Sequence, residues 1–221
     1  MSLALAREAS RRSDTELVIE QGVSVSPDQL AAIAPEAVII PPLSHPLSMT
    51  PADVYAHADA VDQCVDACRA AGIALVWCVS DQLYEEGFEI PIDEHVVPAP
   101  RDECLRRLVQ TGDRIRAEYH RHLIVRLGPL FALEGSHAWL NEVIDSFVAG
   151  QSVRAAEDVI FCPTSADAVA MALVGMLQQQ ACGADAWGAY HLAGTEPVSA
   201  FTFVSMVRTQ LATHLEGRGE A

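Results

Sequence analysis

The stretch 75–87, LVWCVSDQLYEEG, carries the first residues able to do chemistry. An apolar run, Leu75 to Val79, stops at Ser80-Asp81. Continuous apolar runs of this kind suit a strand buried on both faces of a parallel sheet, and ligand sites in such sheets lie beyond the carboxyl ends of the strands. A hydroxyl at such a position is a candidate catalytic group, or else a turn hydrogen-bonder. Asp81 beside it is read as tying down its own loop or facing a ligand. Histidines recur elsewhere: His120 and His122 flank Arg121 and read as surface residues, and His191, in AYHL, reads as a hydrogen-bonded core histidine. Cys64 and Cys68 share one face of a helix by their spacing of four and read as buried reduced thiols. The six cysteines include no CxxC pair, and no third ligand stands at metal-binding spacing, so no metal is expected.

Composition excludes several classes. With 30 acidic and 14 basic residues, the net charge of −16 disfavours nucleic acid and anionic membranes as partners. No apolar run is long enough to span a bilayer, and the first residues, MSLALAREASRRSD, are not expected to act as a signal peptide. A cytoplasmic location is expected. All 14 basic side chains are arginines. A mechanism that needs a lysine amine is therefore excluded, because a guanidinium neither gives up its proton nor has the ammonium's shape.

These residues are placed by an alternation of helices and strands. Helices are expected over 3–12, 27–34, 52–71, 101–122, 138–149, 165–180 and 199–214. Ser26-Pro27, Thr50-Pro51, Ser165 and Ser199 act as starts, and Gly72 as a stop. Strands are expected over 16–20 (ELVIE), 37–40 (AVII), 73–79, 123–127 (LIVRL) and 189–192. The pattern implies an α/β fold with a mainly parallel sheet and helices on both faces. The helix over 101–122 carries six arginines. They read either as a solvated face paired with Asp and Glu or as a docking face for an acidic surface.

Taken in order, the segments PEAVII (35–40), VSDQLYEEG (79–87), LIVRLGPLF (123–131), FCPTSADAV (161–169) and YHLAGTEPVSAFTF (190–203) resemble the dTDP-4-dehydrorhamnose reductase branch of the extended short-chain dehydrogenases. The resemblance implies a Rossmann-like core over 1–127 and a small substrate-side C-terminal lobe over 128–221, interleaved with the core. It implies NAD(P)H and a nucleotide sugar as ligands. It also implies a homodimer through the helices at 52–71 and 101–122. Ser80 takes the family's Thr position, and Trp139 falls in the sugar-facing lobe, where it packs or stacks on a ligand.

Three departures accompany the resemblance. The first strand and the Gly-rich turn that seats the cofactor pyrophosphate have no counterpart; the first glycine is Gly22. Counting back from Ala117-Glu118, the catalytic Tyr and Lys positions fall on Gln110 and Arg114, neither of which can play those parts. Ile40-Pro41-Pro42 replaces the cofactor-lining Asn-Ala-Ala and removes backbone donors. The expectation is a degenerate reductase-fold protein that binds or regulates, without cofactor. The alternatives are an active NAD(P)H-dependent reductase of dTDP-4-keto sugars with a truncated start, and a cofactor-free sugar-nucleotide-binding protein.

Overall fold

A computed structural model of the chain describes residues 1–20, 22, 25–43, 49–84, 92–132 and 139–218. The sheet is built from the most apolar segments: β1 (Ala37–Ile40), β2 (Ala74–Ser80), β3 (His122–Leu127) and β7 (Gly188–Leu192). Their order is β1-β2-β3-β7, and every pairing is parallel. Register sets Ile40 beside Trp77, Ser80 beside Leu127, and Leu127 beside Leu192, so the carboxyl ends of the strands gather at one end.

The two-residue period of a strand divides the core. Leu75, Trp77 and Val79 face one way with Ile124, against α2 (Pro27–Ile33), α3 (Pro51–Ala71) and α4 (Glu103–Glu118). Val76, Cys78, Leu123, Val125 and Leu127 face the other way, against α1 (Ser2–Ser10) and α6 (Ala166–Ala181). This is the Rossmann-like arrangement expected from the sequence. Burial pushes the Cys78 thiol up to about 12, so it stays a neutral core group.

Local signals act at the helix ends as expected. The Thr50 hydroxyl accepts from the Asp53 amide at 3.3 Å, and Gly72 ends α3 with φ 70°. Ser26 closes a reciprocal capping box with Gln29. The arginines of α4 pair within the chain. Arg107 donates to Asp59 and Asp62 of α3 at 2.7 and 2.6 Å, and Arg114 donates to Asp66 at 2.6 Å and Glu118 at 3.2 Å. The basic helix is therefore a face of ion pairs that holds α4 on α3.

Three expectations change. Residues 16–20 form no strand: they find no ladder partner among the described residues, and Val18 and Ile19 stay half exposed. A short apolar run does not make a strand without a neighbour to bond. The helix expected to run to His122 ends at Glu118. Tyr119 turns extended, and its buried phenol donates to the Ile73 carbonyl at 2.6 Å. His122 consequently begins β3 and is buried rather than on the surface, with Nδ1 donating to the Tyr119 carbonyl. Residues 44–48 and 85–91, Ala138 at the start of the helix expected over 138–149, and the last three residues lie outside the described residues.

Beyond β3 the chain builds smaller pieces. Strand β4 (Leu130–Phe131) pairs in parallel with β6 (Thr164–Ser165), and β5 (Ile160–Phe161) pairs antiparallel with β8 (Val198–Ser199). Helices α5 (Trp139–Val148) and α7 (Ala200–Arg218) pack beside them. The crossing from the sheet to these pieces is tight. The Gly194 amide donates to Thr164 Oγ1 at 3.1 Å, and a Cβ at Gly194 would lie 2.1 Å from the Pro163 carbonyl oxygen. Backbone would have to move to admit it. Gly194→Ala is therefore expected to cost about 1–3 kcal/mol, as overpacking does. A urea midpoint equal to wild type would contradict this close approach.

Candidate functional site

The carboxyl ends of β2, β3 and β7 are where this topology places a ligand site. Ser80 closes β2 and caps the short 3-10 helix Asp81–Leu83; its hydroxyl accepts from the Gln82 amide at 3.2 Å and lies 3.4 Å from Asp81 Oδ1. Burial holds the Asp81 carboxyl above the usual carboxylate range, with the Ser80 hydroxyl pulling the other way. Ser80 and Asp81 thus stand together and serve the turn. On the neighbouring strand Ile40 is buried, and Pro41 and Pro42 follow it at the same end of the sheet without amide protons.

Gln110 and Arg114 do not join this group. Gln110 is exposed, and no hydrogen bond links either residue to Ser80 or Asp81 among the described residues. Arg114 also donates to the Asp62 carbonyl of α3 at 2.9 Å, and its carboxylate neighbours Asp66 and Glu118 hold its charge in place. The side of α4 turned towards the strand ends instead carries Leu108, Val109, Gly112 and Arg116. With Trp77 of β2 and Arg126 of β3, these line a cavity of about 10 Å3. That is room for one water molecule. Gly112 lets the helix approach closely here: a Cβ would stand 3.3 Å from the Trp77 ring, a tight contact.

Trp139 starts α5. Its Nε1 donates to the Leu130 carbonyl at 3.1 Å, and its ring lies 5.3 Å from that of Phe203. Phe131 and Phe161 pack on the same phenylalanine. Cys64 and Cys68 are buried thiols with sulfurs 3.9 Å apart. No group of three metal-binding side chains occurs among the described residues.

The most developed polar constellation was not picked out as a site from the sequence. Arg126, buried in β3, donates to Tyr84 Oη at 2.6 Å and to His191 Nε2 at 3.0 Å. The signal was present: a charge inside the apolar run LIVRL. Burial lowers the Arg126 pKa, lowers that of His191 with help from Arg126, and raises that of Tyr84 against the pull of Arg126. His191 fits the expectation of a hydrogen-bonded histidine.

A profile of the RmlD substrate binding domain matches residues 49–217. The chain belongs to that family. Among solved structures, it is similar to dTDP-4-dehydrorhamnose reductase from Bacillus anthracis in complex with NADP, at 15% identity and a TM-score of 0.78, over 93% of this chain and 76% of that one. A hypothetical dTDP-4-dehydrorhamnose reductase from Sulfolobus tokodaii matches at 20% identity and a TM-score of 0.72, over 94% and 77% of the two chains. UDP-N-acetylglucosamine 4-epimerase from Bacillus cereus matches at 12% identity and a TM-score of 0.74, over 95% and 77%. At these identities the likeness is one of fold. No curated protein sequence matches significantly.

The buried histidines also set a pH dependence. Burial lowers the pKa of His57 on α3 and of His122 on β3. A lowered folded-state pKa means that the unfolded chain binds the proton more readily. Stability is then fully present above the ordinary value of about 6.5 and is lost as the pH falls below it. Urea midpoints are expected to drop between about pH 7.5 and about pH 5.5, and by less in His122→Asn. A midpoint that stays level would show that burial does not discourage protonation of these rings.

Proposed function

We propose that this chain is a non-catalytic member of its family, which binds a nucleotide-sugar-type ligand without transferring hydride. The observation that carries the reading is the side of α4 turned to the strand ends, where Leu108, Val109, Gly112 and Arg116 present neither a phenol nor an amine. The family's chemistry pairs a tyrosine proton donor with a lysine. The chain has no lysine, and three of its four tyrosines are engaged elsewhere. The Tyr84 phenol donates to the Val96 carbonyl at 2.8 Å, that of Tyr119 to the Ile73 carbonyl, and that of Tyr190 to the Ala186 carbonyl at 2.7 Å. Tyr55 lies on α3.

The residues present also do not fit a nicotinamide cofactor. Pro41 and Pro42 offer no amide to it beside the strand end, and Ser80 uses its hydroxyl oxygen as a cap. No step of the reading therefore runs through NAD(P)H. What remains in its favour as a binding protein is the matched span, 49–217, which covers the ends of β2, β3 and β7, α4 and the pieces beyond β3. We take residues 128–221 as the ligand-side lobe on the core 1–127.

Titration with NADPH is expected to leave nicotinamide fluorescence unchanged, while calorimetry with dTDP-sugars gives saturable heat in the absence of cofactor. Saturable micromolar NADPH binding with turnover of a dTDP-4-keto sugar would establish the active reductase instead. No heat with any dTDP-sugar would remove the ligand class. Pairing of two copies through the outer faces of α3 and α4 belongs to the same proposal. Sedimentation is expected to give a dimer, and a monomer at micromolar protein would remove it.

A further inference from the structure

Arg126 lies at an inward position of β3, two residues after Ile124, and is only 5% exposed. No carboxylate forms an ion pair with it among the described residues; its hydrogen bonds run to Tyr84 Oη, His191 Nε2 and the Glu94 carbonyl at 3.3 Å. A guanidinium can only donate, so each partner must present a lone pair. The Nδ1–H tautomer of neutral His191 fits its neighbours best: Nε2 then accepts from Arg126, with Tyr84 Oη 3.3 Å away, and Nδ1–H is directed at the Ile92 carbonyl at 3.4 Å. Tyr84 accepts from Arg126 and passes its own proton to the Val96 carbonyl.

These bonds converge on one segment, residues 92–96. It contributes alternate carbonyls, those of Ile92, Glu94 and Val96, and the Glu94 carboxylate accepts from the His191 amide at 2.9 Å. The segment has little hold of its own: His95 N donates to Asp93 Oδ1 at 2.9 Å, and Val96 N to the Asp93 carbonyl at 3.3 Å. It is strapped across the ends of β3 and β7 by Tyr84, Arg126 and His191, and one of these three, Arg126, also bonds to the lone pair of the neutral imidazole, so a proton on that ring pushes on the guanidinium that holds the Glu94 carbonyl.

We propose that residues 92–96 form a proton-operated strap, closed while His191 is neutral and released when His191 takes up a proton. Protonation removes the lone pair that Arg126 uses and sets a second cation 3.0 Å from its Nη1. The charged groups around the ring are few. Arg126 comes from β3, and Arg116 and Asp113 from α4 lie beyond it; Asp93 and Glu94 come from the strap, and Tyr84 stays neutral. The two strap carboxylates favour the protonated ring, but neither bonds to it: Glu94 is occupied by the His191 amide, and Asp93 by the strap's own amide and the exposed His95. Because burial and Arg126 both disfavour the imidazolium, the closed strap holds above about pH 6.5 and opens below it, by up to about tenfold per pH unit. The inference rests on this geometry and not on the ligand reading above.

Amide hydrogen exchange on the full chain tests it, at about pH 7.5 and about pH 5.5, corrected for intrinsic rates. The amides of His95, Val96 and His191 are expected to lose about tenfold protection at the lower pH while those of β2 and β3 change less. His191→Gln keeps an acceptor for Arg126 and a donor for Ile92 but does not titrate, and is expected to make strap protection independent of pH. Equal strap protection at both values in wild type, or a pH response of the strap unchanged in His191→Gln, overturns the proposal. If that variant does not fold, nitrogen NMR of the wild-type imidazole decides. A neutral Nδ1–H ring that titrates below the ordinary histidine value of about 6.5 supports the strap, and an Nε2–H ring or a higher titration point overturns it.

Discussion

Strand β2 has no solvent face, and the rest of the molecule follows from that. Leu75, Trp77 and Val79 need helices on one side, and Val76 and Cys78 need them on the other. Each large side chain so buried contributes about 1.5–3 kcal/mol, which no polar contact at the strand end can match. A parallel strand in this position has its backbone bonded on both edges, to β1 and to β3. The first residue free to be polar is therefore Ser80, where the strand emerges. The same demand places α3 and α4 on one face, and their ion pairs then fix α4 along its length.

That fixing determines what α4 offers to the strand ends. With Arg107 and Arg114 turned to the carboxylates of α3, the opposite side of the helix presents Leu108, Val109 and Gly112 to the Trp77 ring. The Trp77 ring takes most of the space there, beside the small cavity that these residues line. The sheet demands burial from the helix face that covers it, and not reactivity. The scaffold accordingly survives at identities of 12–20% to solved reductases and epimerases. Function has to be argued from the side chains.

The fold was legible in the sequence because strand burial and helix caps are local signals. AVII, the run before Ser80 and LIVRL each reached the sheet, and Ser26, Thr50 and Ser165 each capped the helix expected of them. ELVIE misled because a strand is defined by its neighbour, which residues 16–20 do not supply. The overlong α4 misled because arginine-rich segments favour helix, while one phenol seeking the Ile73 carbonyl ended it at Tyr119. The site was less legible. Ser80 and Asp81 could be placed from the apolar run, but the meeting of Tyr84, Arg126 and His191 joins residues up to 107 positions apart. Only the charge within LIVRL hinted at it.

The outer side of β1 closes no ladder among the described residues, so four residues of backbone lie at the margin of the sheet. Pro41 and Pro42 come directly after them. A visiting strand that tried to zip along this margin would run out of amide donors within one turn of the chain. The two prolines therefore blunt the margin against aggregation, one of the means by which natural sheets keep such borders from recruiting strangers.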